Sequence, residues 1–354
     1  MEEEKTGSFV REATGLVREL GTLDAFAFNF LSMNLFGIFI LGVFAMALYP
    51  AADLSISTAL AIVPALVIAL TYVFLSIAMP RTGGDYVWVG RVIHPLVGFI
   101  VNFGLTFVLF TFIAIDVTVF TQWGVGAYFY GIFVNTGDQG ALNMFSMLNQ
   151  PGSFLVFGIG VLLILIVCAI VAYGGKVAFR IQKAVWIFVI LAALLYIVLA
   201  LSVGPGKFSM NFNSMSGTNT TTVVSAAEGA GFSDTVLLSG TLLGFVYVFL
   251  NFTGFSFSAY ISGEIRNVKR AQFVGIVGSL LVFGALLIVI IQATEYVFGY
   301  DFFHGLTFLF GQQFFGINPQ APYPATLPPA FPEFFVGFLT SNPVLIFIIT
   351  IGCG

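Results

Sequence analysis

Long apolar runs alternate with short polar stretches along the chain. At 1.5 Å of rise per residue, runs of about 20 residues cross a hydrocarbon layer of about 30 Å. They predict spans over about 24–49, 56–79, 95–132, 153–173, 183–203, 237–263 and 272–298, with an eighth opening near Asn342. Span 3 is too long for one straight crossing, which predicts tilt or an interfacial turn. Span 6 stands out. No charge occurs from Thr235 to Gly263, yet Asn251, Thr253, Gly254, Ser256 and Ser258 interrupt its middle. Gly254 makes a break inexpensive, and the neighbouring polar side chains can satisfy the backbone groups that a break frees.

Span 1 has a matching interruption, with Asn29, Ser32, Asn34 and Gly37 in FNFLSMNLFGIF. Two readings fit such segments: small-residue faces that pack helix on helix, or broken helices that build a ligand site. Spans 1 and 6 are five apart and enter from opposite sides. Matching interruptions in two inverted halves favour the ligand site.

Composition supports the membrane reading. Hydrophobic residues make up 59% and charged residues 8% of 354, far below the roughly 25% charged of soluble domains. Of the 12 Lys and Arg, all but Lys207 fall on one side: Lys5, Arg11 and Arg18, then Arg81 and Arg91, then Lys176, Arg180 and Lys183, then Arg266, Lys269 and Arg270. Positive residues stay cytoplasmic, which predicts a cytoplasmic N-terminus and a multi-pass protein of the plasma membrane. The charged start reads as a cytosolic tail with a short amphipathic helix. The outer connections are long: 204–234 is rich in Ser, Thr, Asn and Gly, with an Asn219-Thr220-Thr221 acceptor pattern for glycosylation. The 300–341 connection is rich in proline and lacks Lys and Arg. That connection is either a plain surface loop or a fold over a vestibule. From Pro343 onward the residues would make only about 18 Å of helix, so the sequence reads as cut within span 8.

Asp116 is an intramembrane carboxylate in span 3, either functional or a polar contact inside the bundle. Glu295 reads as interfacial, and His94 and His304 lack ligand spacing to another His, Cys or carboxylate. Neither a metal site, a cofactor motif nor a catalytic cluster is expected, and nothing points to nucleic acid. Cys168 and Cys353 lie in apolar runs.

Three separated motifs resemble the amino acid permeases of the amino acid–polyamine–organocation superfamily. The first inner loop, Pro80-Arg81-Thr82-Gly83-Gly84-Asp85-Tyr86, is similar to that family's P-R-[ST]-G-G-x-Y. Glu264-Ile265-Arg266-Asn267-Val268-Lys269-Arg270 resembles E-[VI]-[KR]-N-P-x-R, with Val268 for the usual proline, and Thr253-Gly254-Phe255 matches the T-G-F break. Gly37-Ile38-Phe39 matches the end of G-x-G-I-F, with Leu35 in place of its first glycine. Setting Arg180-Ile181-Gln182 on the family's R-V-N puts Val189 where some proton-linked members carry a lysine, so a lysine mechanism is not expected.

The resemblance implies an all-α polytopic membrane protein with an inverted-repeat transporter fold, helices 1 and 6 broken and the second repeat incomplete. The expected division is a tail over 1–23, a first five-helix repeat over 24–203, an extracellular loop over 204–236 and the second repeat from 237 to 354. It implies secondary transport of amino acids by alternating access, not enzymatic catalysis. The substrate carboxylate is expected on free N–H groups around Leu35, Phe36 and Gly37, with Asn34 close by. The ammonium is expected near the carbonyls of Leu31, Ser32, Phe252 and Thr253, with Phe249, Asn251 and Gly254 shaping the pocket. Few mid-membrane charges favour a neutral or apolar side chain. Asp116 is the candidate for proton coupling, and sodium is the other coupling ion considered. A non-transporting amino acid sensor or scaffold of the same fold is the alternative.

Overall fold

A computed structural model describes residues 18–233 and 235–353. The expected N-terminal amphipathic helix lies outside the described residues. Among the described residues, six helical stretches are long and apolar enough to cross a membrane, and Leu238–Leu250 and Pro343–Cys353 are shorter apolar helices. Among the described residues the only β-type pairing is a parallel bridge between Leu20 and Ile265. The chain is an all-α polytopic membrane protein.

Span 1 is two helices, α1 (Thr22–Ser32) and α2 (Gly37–Leu48), with a break between them. Span 2 is α3 (Leu54–Ala78), started by Asp53, whose carboxylate accepts from Ile56 N at 2.7 Å. The inner loop folds into α4 (Asp85–Val92). Span 3 is α5 (Pro95–Val119), carried through a π turn over Phe120–Val125 into α6 (Gly126–Thr136). Of the expected tilt or interfacial turn, the structure shows a widened turn inside a continuous helix. A short α7 (Gln139–Asn149) leads to α8 (Phe154–Tyr173).

Span 5 differs from expectation. Helix α9 (Gly175–Met215) begins eight residues early, directly after Gly174. It also continues beyond a kink at Gly204, whose φ of 68° suits glycine, followed by Pro205. With α10 (Thr220–Gly229), most of the presumed 204–234 loop is helical. Its polar surface hid that helix from an apolar-run criterion.

Span 6 is α11 (Leu238–Leu250), a turn-rich break, and a 3₁₀ segment over Phe257–Glu264. Span 7 is α12 (Val268–Gln272), a π turn and α13 (Ser279–Phe298). The 300–341 connection folds back on the bundle as α14 (Tyr300–Phe314), a 3₁₀ turn over Pro332–Phe335 and α15 (Val336–Leu339), before α16 (Pro343–Cys353). Phe302, Phe303, Leu309, Phe331, Phe334 and Phe335 are buried there, so this connection is a cap. It is seated on α6 glycine to glycine. A Cβ on Gly337 would lie 2.7 Å from Gly131 Cα, and Asn135 Nδ2 donates to the carbonyls of Gly131 (2.9 Å) and Gly337 (2.8 Å).

Around the two breaks, α11 packs on α2 and α3, while α13 packs on α3 and α9. Phe30, Phe39, Met46, Tyr196, Phe252 and Phe283 are buried in that core. Helices α5 and α8 turn apolar side chains such as Phe103, Phe107, Leu162 and Leu165 outward, as hydrocarbon surroundings allow.

Candidate functional site

The break in span 1 runs from Met33 to Phe36. Helix α2 starts with backbone N–H groups that have no acceptor within their own helix. Asn34 supplies one: its Oδ1 accepts from Phe36 N at 3.2 Å and Gly37 N at 2.9 Å. These are the N–H groups on which a substrate carboxylate was expected. They are not free, because the polar residue that makes the break also caps it. Asn34 itself is exposed, whereas Leu35, Phe36 and Gly37 are buried. The Phe36 ring meets Tyr196 edge-on at 5.7 Å between ring centres.

The break in span 6 runs from Asn251 to Ser256 and turns at Gly254, where φ is 109°. The two breaks lie directly against each other. A Cβ on Gly254 would sit 2.3 Å from the Ser32 carbonyl oxygen and 2.9 Å from Ser32 Cβ. A Cβ on Gly37 would sit 3.0 Å from Asn251 Oδ1. Gly254 is therefore needed for a backbone conformation and for the close approach of α1. The Ser32 hydroxyl is held within its own helix by the Phe28 carbonyl at 2.8 Å. Asn251 is buried and its Nδ2 has no partner among the described residues, leaving an amide donor beside the start of α2.

Of the other expected residues, Phe252 is buried, Leu31 and Phe249 are half-buried and Thr253 is exposed. All of them lie at the two breaks. Asp116 does not: it lies on an exposed side of α5, its side chain without a hydrogen bond or ion pair among the described residues.

Beyond the breaks lies a buried polar knot that joins α1 to the 3₁₀ segment and to the start of span 7. Asn29 Nδ2 donates to Ser258 Oγ (3.0 Å) and to the Gly275 carbonyl (2.8 Å), while Ser258 N donates to Asn29 Oδ1 (2.7 Å). Ser258 Oγ donates to Gln272 Oε1 (2.7 Å), and Gln272 Nε2 returns a bond to the Ser258 carbonyl (2.9 Å). The interruptions at Asn29 and Ser258 thus fasten α1, the 3₁₀ segment and α12 together, a satisfied network being rigid. Farther along, Glu19 N, Leu20 N and Arg266 N pair with backbone carbonyls across the Leu20–Ile265 bridge. Two ion pairs join this body to α9: Lys183 to Asp24 at 2.8 Å and Lys176 to Glu19 at 2.7 Å.

The Gly83-Gly84 pair receives Tyr260. Gly83 N donates to the Tyr260 carbonyl at 2.8 Å, and a Cβ on Gly84 would lie 2.7 Å from the Tyr260 ring. Asp85 Oδ2 then accepts from the hydroxyls of Tyr72 (2.9 Å) and Tyr260 (2.5 Å). The glycine pair signals close backbone approach in sequence, but its partner, 175 residues along the chain from Asp85, carries no signal of its own.

His304 and Glu295 meet in the structure. Separation along the chain hid their contact, for His304 Nε2 lies 2.9 Å from Glu295 Oε1 and the imidazole is fully buried. Gln292 Nε2 bonds Glu295 Oε2 and Ser55 Oγ, which ties the cap to α13 and α3.

No curated protein matches this sequence. The family described as "Amino acid permease" matches residues 20–301, a stretch that takes in both breaks, the Gly83-Gly84 loop and the Glu264–Arg270 motif. With that match over most of its length, on an all-α membrane fold with two facing helix breaks, the chain belongs to the amino acid permease family, whose members transport amino acids across membranes and are not enzymes.

Proposed function

We propose that this permease carries neutral or apolar amino acids across the plasma membrane by alternating access, with its N-terminus in the cytoplasm. The observation that carries this reading is the contact of the two breaks, Ser32 carbonyl against Gly254 and Gly37 against Asn251. Between them they offer helix N–H groups, an unpartnered amide and backbone carbonyls, but no charged side chain from Leu31 to Gly37 or from Phe249 to Ser256. A zwitterion fits that set, and a second charge on its side chain has no counterion there.

Binding then takes a defined course. The substrate carboxylate takes the Phe36 and Gly37 N–H groups from Asn34, replacing a neutral acceptor by an ionised one with stronger bonds. The helix α2 dipole adds attraction, and Asn251 Nδ2 is within the same neighbourhood as a further donor. The ammonium meets carbonyls at the ends of α1 and α11. Closure toward the cytoplasm is held by the Lys183–Asp24 and Lys176–Glu19 pairs, and opening moves the knotted body of α1, the 3₁₀ segment and α12 away from α9. Asp116 is the intramembrane carboxylate through which a proton gradient drives uptake.

Uptake of labelled leucine, alanine, arginine and glutamate into proteoliposomes tests this. Saturable uptake of the first two, with weak competition by the charged pair, is expected. Preference for arginine or glutamate would overturn the substrate assignment.

A further inference from the structure

The cap contains a carboxyl group that the transport scheme leaves unused. Glu333 sits in the 3₁₀ turn Pro332–Phe335 and is buried. Aromatic rings enclose that turn. Phe331 lies 4.1 Å from Trp123 between ring centres, Phe334 meets Tyr130 and Phe145, and Phe335 meets Phe212 and Phe298. Glu333 Oε2 has no hydrogen-bond partner among the described residues, and the residue's own backbone N–H bonds the carboxylate.

The titratable groups that interact electrostatically with it are Tyr196 on α9 and Cys353 on α16; α6 also carries Tyr128 and Tyr130, α13 carries Glu295 and Tyr296, and the cap carries Tyr323. None of them is a cation. The π turn over Phe120–Val125 and α15 carry no titratable side chain. His304 is engaged with Glu295, Lys207 past the α9 kink is exposed, and Lys176, Arg180 and Lys183 lie at the opposite end of α9. An ionised carboxylate in such surroundings costs several kcal/mol, and a bound proton removes most of that cost.

We propose that Glu333 is a proton-binding site which holds the cap shut: the cap packs with the proton on, and loss of the proton draws water to the carboxylate and lifts the turn. Burial agrees, pushing the Glu333 carboxyl up to about 8 from its ordinary value of 4.5. The direction follows by linkage. A lifted, solvated turn releases its proton in the ordinary carboxylate range, whereas the closed cap keeps it. Rising pH therefore disfavours the closed cap from about 4.5 upward, and the effect levels off above about 8, where the closed form is itself ionised. The site lies between spans, so it responds to the pH of the compartment that the cap faces. It is independent of Asp116 and of which amino acid is carried.

Hydrogen–deuterium exchange of residues 316–340 tests the proposal on the purified protein in detergent or nanodiscs. Rates are divided by intrinsic rates at each pH, with α8 as internal reference. Glu333→Gln keeps the shape and stays neutral. Between about pH 5 and about pH 8, opening of the cap should rise at least about tenfold in the native protein relative to Glu333→Gln, a floor well below what a shift from 4.5 to about 8 gives over that range. A constant ratio across that range would overturn the proposal. Should Glu333→Gln fail to fold, the native protein decides alone: a cap opening equilibrium that does not change with pH while α8 stays protected refutes the site.

Discussion

Replacing Gly254 by alanine tests the meeting of the two breaks with one added carbon. The new Cβ would lie 2.3 Å from the Ser32 carbonyl oxygen, 2.7 Å from its carbon and 2.9 Å from Ser32 Cβ. Two of those atoms are backbone, so no rotamer change relieves the contact. The residue also has φ 109°, a region that side-chain-bearing residues enter at a cost of about 1–3 kcal/mol. Overpacking a closed site adds about 1–3 kcal/mol. Even the sum of the lower values, about 2 kcal/mol, shifts the population of the packed arrangement roughly 30-fold. Gly254→Ala should therefore fold with its spans intact by circular dichroism. It should unfold at lower temperature and lose at least about 30-fold in amino acid affinity, read by isothermal titration or scintillation proximity. Native affinity and an unchanged melting curve would mean that Ser32 and Gly254 are not in contact. The transport site would then have to lie elsewhere.

Four further outcomes are expected. Asn34→Ala removes a cap worth about 1 kcal/mol, so a carboxylate no longer competes for the Phe36 and Gly37 N–H groups; binding should tighten about fivefold, and weaker binding would make Asn34 a direct substrate ligand. Asp85→Asn weakens charge-assisted bonds from Tyr72 and Tyr260, each worth about 1.5–3 kcal/mol, and should lower the thermal midpoint; Tyr260→Phe should show a smaller loss of the same kind. Asp116→Asn should abolish accumulation driven by a proton gradient and spare substrate exchange, whereas gradient-driven uptake that persists removes this residue from coupling. A cysteine replacing exposed Gly175 should react only with reagents that reach the cytosol, and one replacing exposed Ala325 only with impermeant reagents outside; the reverse pattern would invert the assigned orientation.

Both broken helices were legible in the sequence because Asn, Ser, Thr and Gly inside a charge-free run contradict a plain spanning helix. Span positions followed from the same runs. The polar connections were harder to read. The helix beyond Gly204 and the helix Thr220–Gly229 carry short, polar residues that look like loop, and tertiary packing rather than an apolar stripe holds them. At the site, sequence located the breaks but not how they meet. That Asn34 would cap Gly37 instead of leaving it open is a short-range possibility that a flexible backbone conceals. The Asp85–Tyr260 and His304–Glu295 contacts depend on which helices become neighbours, and residue spacing does not encode that.

The glycine seam between α6 and α15 bears on how the chain is assembled. Asn135 and Gly337 are 202 residues apart, so the helix that receives the cap enters the membrane long before the cap is synthesised. Until then the Asn135 amide has only the Gly131 carbonyl of its own helix as a partner, and the small surface at Gly131 waits uncovered. Closing a loop of this length costs only slightly more than closing one half as long, by about 0.6 kcal/mol. The delay therefore has little thermodynamic consequence; it sets an order of events. Insertion of the spans and docking of the cap become separable stages of biogenesis. A lesion at Gly131 or Gly337 would yield a protein that is integrated, stable to extraction and correctly threaded, yet unfinished on one face.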